Sequence, residues 1–280
     1  MFPSQNLLPS PLSPDYWPAV AGLGWPLAAA FLVALAGTWL GMRLAPRLGA
    51  VAQVQADRWH QSGAVPKLAG PGLLAGLVFA LPLPLWLVAA SACLIGCLDD
   101  RKRLAAGPKA LLLLVPALAG AWVTGQAWVA PAIWIAANAW NLLDHADGLA
   151  AAAACAACLL MGVAGGPPAA AALAGFLVFN LPPARSFMGD GGSLLLGTTL
   201  VLLAAPLGPE TALAWSAVPL LDSALVVASR LKRGAKPWIG GTDHSGHRLL
   251  RTGLPPFLLP PLYALATVLL GLGAMALLAR

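Results

Sequence analysis

Long apolar runs alternate with short polar stretches along the whole chain. A helix needs about 20 apolar residues to cross the ~30 Å hydrocarbon core of a bilayer, and many of these runs approach that length. The glycines and prolines inside the runs are tolerated in membrane helices. We predict ten spanning helices, near residues 19–41, 68–82, 83–98, 109–124, 126–140, 147–164, 168–182, 192–207, 210–230 and 255–279.

The composition agrees with a membrane setting. Of the 280 residues, 59% are hydrophobic and 9% are charged, whereas an ordinary soluble domain has roughly 25% charged residues. The predicted fold class is therefore all-α, a polytopic integral membrane protein. No change in composition marks a second, soluble domain. We expect a loose N-terminal tail over residues 1–16, rich in Pro and Ser, and a single transmembrane domain over residues 17–280.

The basic residues predict the orientation of the helices. Cytoplasmic loops of membrane proteins carry an excess of Lys and Arg. If the loop after the first segment faces the cytoplasm, that side holds fifteen of the 16 Lys and Arg residues and leaves Arg280 on the other side. The fifteen are Arg43, Arg47, Arg58, Lys67, Arg101, Lys102, Arg103, Lys109, Arg185, Arg230, Lys232, Arg233, Lys236, Arg248 and Arg251. Both chain termini should then lie outside.

Four polar stretches fall on this same predicted side. They are "CLDDRKRL" with Asp99 and Asp100, "NLLDHADGLA" with Asp144 and Asp147, "SFMGDGGSLLLG" with Asp190, and "WIGGTDHSGHRLLRTG" with Asp243, His244 and His247. Ionisable groups at a membrane are costly and are functional candidates by default. We therefore predict that the four loops converge on one cytoplasmic site.

The residue types in these loops indicate phosphate chemistry. Carboxylate oxygens, with few thiols or clustered imidazoles, favour a hard divalent ion such as Mg2+ or Mn2+ over zinc. Each stretch also has a purely structural interpretation. "DDRKR" is then a solvated charged loop, "GDGGS" a helix N-cap, the Asn and Asp series a capped helix end, and "DHSGHR" a polar loop. Their position on one face of so apolar a protein favours a functional site.

The order and spacing of these motifs resemble the polyprenyl-phosphate N-acetylhexosamine-1-phosphate transferase superfamily (glycosyltransferase family 4), from about residue 60 to 250. "HQSGAVPKLAGPG" resembles its first cytoplasmic motif. "CLDDRKRLAAGPKALLLL" is similar to its aspartate-pair motif, whose lysine falls on Lys109. "NAWNLLDHADGLA" resembles the Asn-x-x-Asn-x-x-Asp-Gly-x-Asp-Gly pattern, and "FMGDGGSLLLG" the motif whose aspartate, here Asp190, is the family's magnesium ligand.

The last motif indicates a branch of this superfamily. "DHSGHRLL" is similar to the Asp-His-x-His-His-Arg-Leu loop of the enzymes that begin O-antigen and teichoic acid linkage synthesis. It differs from the triple-His-Phe-Glu loop of phospho-MurNAc-pentapeptide translocase. "VPLLDSALVVASR" resembles the Pro-x-x-Asp helix of the same branch and contains Asp222. Three positions depart from the family pattern: Ala69 and His145 each replace a glycine, and Gly246 replaces the middle histidine.

The resemblance implies transfer of an N-acetylhexosamine 1-phosphate from a UDP-sugar to undecaprenyl phosphate, with release of UMP, at the bacterial inner membrane. It implies Mg2+, with Mn2+ as a substitute, on Asp190 and Asp100. Asp99 would deprotonate or orient the lipid phosphate, and Lys109 would offset the repulsion between phosphates. The other implied site residues are the catalytic His244 and His247 and the substrate-binding Asn138, Asn141, Asp144, Asp147 and Arg248.

The sequence is also compatible with several alternative functions. A transporter also uses intramembrane carboxylates, but near the midplane of the membrane. An inactive homologue with a scaffolding role is compatible with the three departures. Activity of the phospho-MurNAc-pentapeptide translocase type is a further alternative, against which the missing triple-His-Phe-Glu loop argues. The residues leave open the identity of the UDP-sugar, direct attack versus double displacement, the role of Asp222 and whether the protein forms a homodimer.

Overall fold

The computed structural model describes residues 7–52, 64–236 and 241–278. Over these ranges the chain is mostly helical, which confirms the helical part of the predicted fold class. Arg58, Arg280 and the first four residues of the stretch that begins at residue 60 lie outside the described residues. Near the N-terminus, Leu7 forms an isolated bridge with Val163 before the first helix begins.

Fourteen α-helices are found within the described residues. The first seven are α1 Tyr16–Gly22, α2 Trp25–Leu44, α3 Gly70–Gly76, α4 Leu83–Lys102, α5 Ala106–Leu112, α6 Leu114–Thr124 and α7 Val129–Leu143. The others are α8 Leu149–Leu160, α9 Gly166–Asn180, α10 Gly189–Ala204, α11 Pro209–Trp215, α12 Ala217–Lys232, α13 Ser245–Arg251 and α14 Leu259–Leu278. Two short strands, β1 Val51–Ala52 and β2 Val65–Pro66, pair antiparallel between α2 and α3.

The protein is a multi-pass membrane protein, and each of the ten predicted segments overlaps a helix. Five stretches of the described residues are long and apolar enough to cross a bilayer: Trp25–Leu44, Leu83–Lys102, Ala106–Thr124, Gly189–Leu207 and Pro256–Leu277. The bent pair α11 and α12 adds a sixth if it counts as one span. Four shorter apolar helices fill the remaining positions, so length alone supports five or six spans rather than ten.

The segment predicted near residues 210–230 is broken rather than continuous. The axes of α11 and α12 differ by 67°, with the break at Ser216. Pro219 lies in the first turn of α12 and has no N–H to donate to the carbonyl of Trp215. Proline is tolerated in the first turn of a helix but not in its interior, so Pro219 is compatible with a new helix that starts after Ser216.

Helix α10 forms the centre of the bundle, and most of its side chains are buried. It packs against α4 so closely that a Cβ on Gly96 of α4 would collide with the backbone oxygen of Asp190. Small residues allow such close backbone approach between membrane helices. As a result, the C-terminal end of α4 lies directly beside the N-terminal end of α10.

The outer helices expose large apolar side chains. Trp122 on α6 is 87% exposed and Leu83 on α4 is 66% exposed. In a protein that spans a bilayer, such surfaces face lipid rather than water. The polar groups are instead gathered at the helix ends, where the candidate site lies.

Candidate active site

The helices that carry the polar motifs bring their motif-bearing ends to one face of the bundle. There α4 and α7 end, while α3 and α10 begin, around a cavity of about 930 Å3. Seven of the eleven predicted site residues line this cavity: Asp100, Asn141, Asp144, Asp147, Asp190, His244 and His247. The other four, Asp99, Lys109, Asn138 and Arg248, are not among its lining residues. Four stretches that are far apart in the sequence therefore share one cavity.

A lysine joins two of the predicted catalytic carboxylates. Nζ of Lys109 contacts Oδ2 of Asp190 and lies 2.7 Å from Oδ2 of Asp99. The other oxygen of Asp99 accepts a hydrogen bond of 2.6 Å from the backbone N–H of Leu104. Asp99 and Lys109 thus form a layer behind Asp190, which itself lines the cavity.

Asp100 is held at the start of α10. Its Oδ1 lies 3.1 Å from Nζ of Lys67, and its Oδ2 accepts a hydrogen bond of 3.1 Å from the backbone N–H of Gly191. Gly189 has a φ of +65°, and a Cβ at this position would lie 2.5 Å from Asp100 Oδ2. Because glycine has no Cβ and adopts this φ without strain, the carboxylate can approach the helix start.

The two asparagines of the "NAWNLLD" stretch have different environments. Asn141 donates to Ser193 Oγ at 2.7 Å and lines the cavity. Asn138 instead donates to the carbonyl of Trp134 on its own helix, at 2.7 Å. Helix α7 continues to Leu143, so Asn138 lies within the helix rather than at its end. Of the two asparagines to which the resemblance assigns substrate binding, Asn141 lines the cavity and Asn138 is not among the lining residues.

Three imidazoles form a cluster on the wall of the cavity. The ring of His145 stacks on that of His244, with centroids 4.4 Å apart and an angle of 26°, and lies 4.9 Å from that of His247. Burial, together with the neighbouring His244, lowers the pKa of His145 to about 3. His145 is therefore neutral at physiological pH.

The ring of His244 is also bound at its edge. Its Nδ1 lies 2.9 Å from Oδ2 of Asp222, a buried carboxylate of α12. His145, Asp222 and His244 offer ligand atoms within 4.8 Å of one another. The lone pair of an imidazole nitrogen lies in the plane of its ring. Because the rings of His145 and His244 are stacked, their lone pairs lie in two neighbouring planes and do not converge on one metal ion. Asp100 and Asp190 offer a more suitable pair of oxygen ligands.

An ion-pair cluster anchors the loop before α13. Asp243 accepts hydrogen bonds from Nε and Nη2 of Arg230, at 3.1 Å and 2.9 Å, and from Arg233 at 2.7 Å. The hydrogen bonds from Arg230 lower the pKa of Asp243 to about 2. Arg248 donates to the backbone oxygen of Asp243 at 2.9 Å and to Ser229 Oγ at 3.1 Å. Arg248 therefore contacts the anchor of the loop, away from the cavity wall.

Comparisons of the sequence with known proteins find similar glycosyl transferases. The sequence model of glycosyl transferase family 4 matches residues 121–207, a range that contains Asn141, Asp147 and Asp190. Undecaprenyl-phosphate alpha-N-acetylglucosaminyl 1-phosphate transferase of Yersinia pestis is 27% identical over 276 aligned residues, covering 80% of this chain and 75% of that protein. The Escherichia coli K12 protein of the same name is 26% identical over 280, covering 81% and 76%. The chain is therefore similar to glycosyl transferase family 4, most directly over residues 121–207.

A third relative matches a shorter part of the chain. The protein with the same name from Haemophilus influenzae is 35% identical over 92 residues, which is 28% of this chain and 26% of that protein. The longer alignments cover most of this chain, whereas the family model covers α7 to α10 and part of α6. The central helices thus carry the family signature directly.

The sequence motifs did not assign several polar residues of this candidate site. Lys67 pairs with Asp100, Arg103 and Asn180 line the cavity, and Asp222 binds His244. Asn180 donates to the carbonyl of Ser186 and accepts from the N–H of Gly148. A lone asparagine at the end of the apolar run "AALAGFLVFN" was a signal that could have found it.

Proposed function

We propose that the protein transfers an N-acetylhexosamine 1-phosphate from a UDP-sugar to undecaprenyl phosphate, releasing UMP. The names of the relatives specify this acceptor and a sugar 1-phosphate transfer. The observation that carries the proposal is the single cavity formed by four stretches distant in the sequence. Its wall combines carboxylates, asparagine amides, imidazoles and the cations Lys67 and Arg103. Amides both donate and accept hydrogen bonds, as a nucleotide and its phosphates require.

The donor set fits a hard divalent cation such as Mg2+. Asp100 and Asp190 present carboxylate oxygens to the same cavity, and Gly189 leaves room beside Asp100 that a Cβ would fill. Asp190 and Asp100 would hold the ion, with phosphate oxygens of the substrate as further ligands. When bound, the ion neutralises negative charge on the pyrophosphate.

The lysines would offset the remaining repulsion between two phosphates. Lys109 contacts Asp190, and Lys67 contacts Asp100, so each lysine lies beside a proposed metal ligand. In the proposed reaction, an oxygen of the lipid phosphate forms a bond to the sugar-linked phosphorus. The bond from that phosphorus to the bridging oxygen breaks, and UMP leaves.

Asp99 has a different proposed role from the lipid-phosphate base that its motif implies. Its oxygens contact Lys109 and the N–H of Leu104, and it is not among the residues that line the cavity. We propose that Asp99 orients Lys109 toward Asp190. The ion pairs of these carboxylates support direct attack by the lipid phosphate over a phospho-aspartate intermediate.

The proposal includes a location in the bacterial inner membrane, with ten spans and the cavity open to the cytoplasm. The concentration of Lys and Arg in loops on the cavity side supports it. UDP-sugars are cytoplasmic, whereas the polyprenyl chain requires lipid. A site at the ends of apolar helices gives both substrates access.

The test is release of UMP by purified protein in detergent with undecaprenyl phosphate, Mg2+ and a panel of UDP-N-acetylhexosamines. We expect release that requires both substrates, stops with EDTA and returns with Mg2+. Asp190→Ala should reduce kcat by about 10²–10³-fold, because it removes charge stabilisation of the transition state. Glu210→Ala, at an exposed acidic residue of α11, is the control and should match wild type.

Lack of UMP release with every sugar of the panel, from folded protein, would contradict the proposal. Binding of a UDP-sugar without turnover would then indicate a scaffold. Uptake of substrate into liposomes without UMP release would indicate a transporter.

A further inference from the structure

A buried carboxylate of α12 ties the start of α13 to the bundle. Asp222 is 4% exposed and is not among the residues that line the cavity. Its Oδ2 lies 2.9 Å from Nδ1 of His244, and its Oδ1 accepts from the backbone N–H of Ser245 at 2.8 Å. The Ser245 hydroxyl contacts the same Oδ1, and Tyr263 of α14 contacts that hydroxyl. Asp222 is thus surrounded by hydrogen-bond donors.

This arrangement sets the tautomer of His244. An ionised carboxylate accepts hydrogen bonds and cannot donate them, so Nδ1 of His244 carries the hydrogen that faces Asp222. In a neutral imidazole, the second nitrogen is then an acceptor. Because His244 lines the cavity and Asp222 does not, Nε2 is the ring nitrogen left to meet a ligand.

His145 fixes the plane of the same ring. It stacks on His244 at 4.4 Å, while its own Nδ1 lies 3.2 Å from the carbonyl of Leu142. Its Nε2 is buried, and a Cβ on Gly246 would lie 2.6 Å from it. His244 is therefore held at one edge by Asp222 and on one face by His145.

Resting on the proposed transferase function, we propose that Asp222 is a positioning residue that fixes His244 with Nε2 as a hydrogen-bond acceptor. The ligand group is a hydroxyl or amide N–H of the bound UDP-sugar. A phosphate oxygen without a hydrogen has nothing to donate to Nε2. His244 is thereby assigned to an uncharged part of the donor rather than to its pyrophosphate.

The test combines a spectroscopic readout with kinetics. The chain has 4 histidines, so 15N-histidine labelling of the full protein in detergent gives few ring signals, and His244→Gln identifies those of His244. We expect Nδ1 of His244 to be protonated in wild type. In Asp222→Asn, the amide N–H can donate to Nδ1, so the hydrogen should move to Nε2.

The kinetic part measures UMP release for the same proteins. Asp222→Asn should lower kcat/KM for the UDP-sugar by about 10- to 100-fold. With the hydrogen on Nε2, this nitrogen and the hydroxyl or amide group of the ligand are both donors, so the hydrogen bond between them is lost. The loss should appear mainly in KM for the UDP-sugar, with KM for undecaprenyl phosphate unchanged. Thr211→Val removes a buried hydroxyl from α11 and is the matched control, which should keep the tautomer and the kinetics of wild type.

Three results would overturn the positioning role. They are a wild-type His244 protonated on both nitrogens at neutral pH, a tautomer that Asp222→Asn leaves unchanged, and a changed tautomer with unchanged kcat/KM. A wild-type protein without UMP release refutes the transferase function instead. The ring signals distinguish these cases because they require no turnover.

Discussion

At the scale of single residues, His145 and Gly246 share one volume. The imidazole of His145 reaches the space that a side chain at position 246 would occupy, since a Cβ there would lie 2.6 Å from His145 Nε2. These are two of the positions where the chain departs from the pattern of the superfamily. The two departures are therefore adjacent, and the lack of a side chain at Gly246 leaves the space that the imidazole of His145 needs.

This contact predicts the effect of Gly246→Ala. The new methyl group would force His145 to move and would disturb its stacking on His244, so kcat/KM for the UDP-sugar should fall by about tenfold. Overpacking of this kind costs about 1–3 kcal/mol of stability. UMP release and thermal unfolding in detergent measure the two effects. Gly273→Ala is the matched control, because no atom lies within 4 Å of a Cβ at that position.

The contact also predicts the behaviour of a double variant. His145→Ala removes the imidazole from this space. Adding Gly246→Ala to the His145→Ala variant should therefore lower kcat/KM and stability less than Gly246→Ala does in the wild-type protein. Strictly additive losses would show that the two residues act independently. That result would contradict the shared volume as the cause of the Gly246→Ala defect.

The motifs predicted which acidic residues line the cavity, but not which residues form ion pairs with them. Asp100, Asp144, Asp147 and Asp190 line the cavity, as the converging loops required. The partners were not visible, because Lys67 and Asp100 are 33 residues apart. Such pairs depend on how helices pack, which local spacing does not encode.

At the scale of elements, the close packing of α4 on α10 brings Asp100 and Asp190, the proposed metal ligands, to the same cavity. Gly96 has no side chain, so the backbones of the two helices can approach each other closely near Asp190. The apolar pattern predicted a helix at each of the ten segments, because a helix that is buried or faces lipid shows in the sequence as a long apolar run. It did not predict the 67° bend between α11 and α12, since prolines in membrane helices often cause no break.

The anchor of the α13 loop predicts a pH dependence. The hydrogen bonds from Arg230 lower the pKa of Asp243 to about 2, from about 3.9 in an unfolded chain. A lowered pKa means that the carboxylate stabilises the fold fully above about pH 4. This contribution is lost as the pH falls through about 2. Hydrogen exchange of α13, corrected for intrinsic rates, should therefore show constant protection from pH 8 to 5 and a loss between about pH 4 and 2.

Asp243→Asn tests the same anchor at neutral pH. The variant lacks the charge that binds Arg230 and Arg233, so α13 should exchange faster at pH 7 than it does in wild type. Asp15→Asn removes an equal charge from an exposed residue and is the control. Equal protection of α13 in wild type and Asp243→Asn would contradict an anchoring role.

At the scale of the whole molecule, the number of spans and the orientation of the site are linked. Five spans would put the two termini on opposite faces of the membrane, whereas ten put both on one face. Fifteen of the 16 Lys and Arg residues fall on one side of a ten-span arrangement, which is the side that faces the cytoplasm in most membrane proteins. The helices shorter than a straight span surround the long ones and the buried α10.

Reporter fusions in Escherichia coli cells test this topology. With ten spans, alkaline phosphatase fused after Gln126, Gly208 or the C-terminus should be active, because these points lie outside. Fusions after Lys102 or Arg233 should be inactive as phosphatase and fluorescent as green fluorescent protein, since they share the cytoplasmic side with the cavity. Active phosphatase after both Lys102 and Arg233, with inactive phosphatase after Gln126, Gly208 and the C-terminus, would show the opposite orientation and place the carboxylates away from cytoplasmic UDP-sugars. Active phosphatase after Lys102 and the C-terminus, with inactive phosphatase after Gln126, would instead favour the six-span arrangement, in which α3 does not cross the membrane.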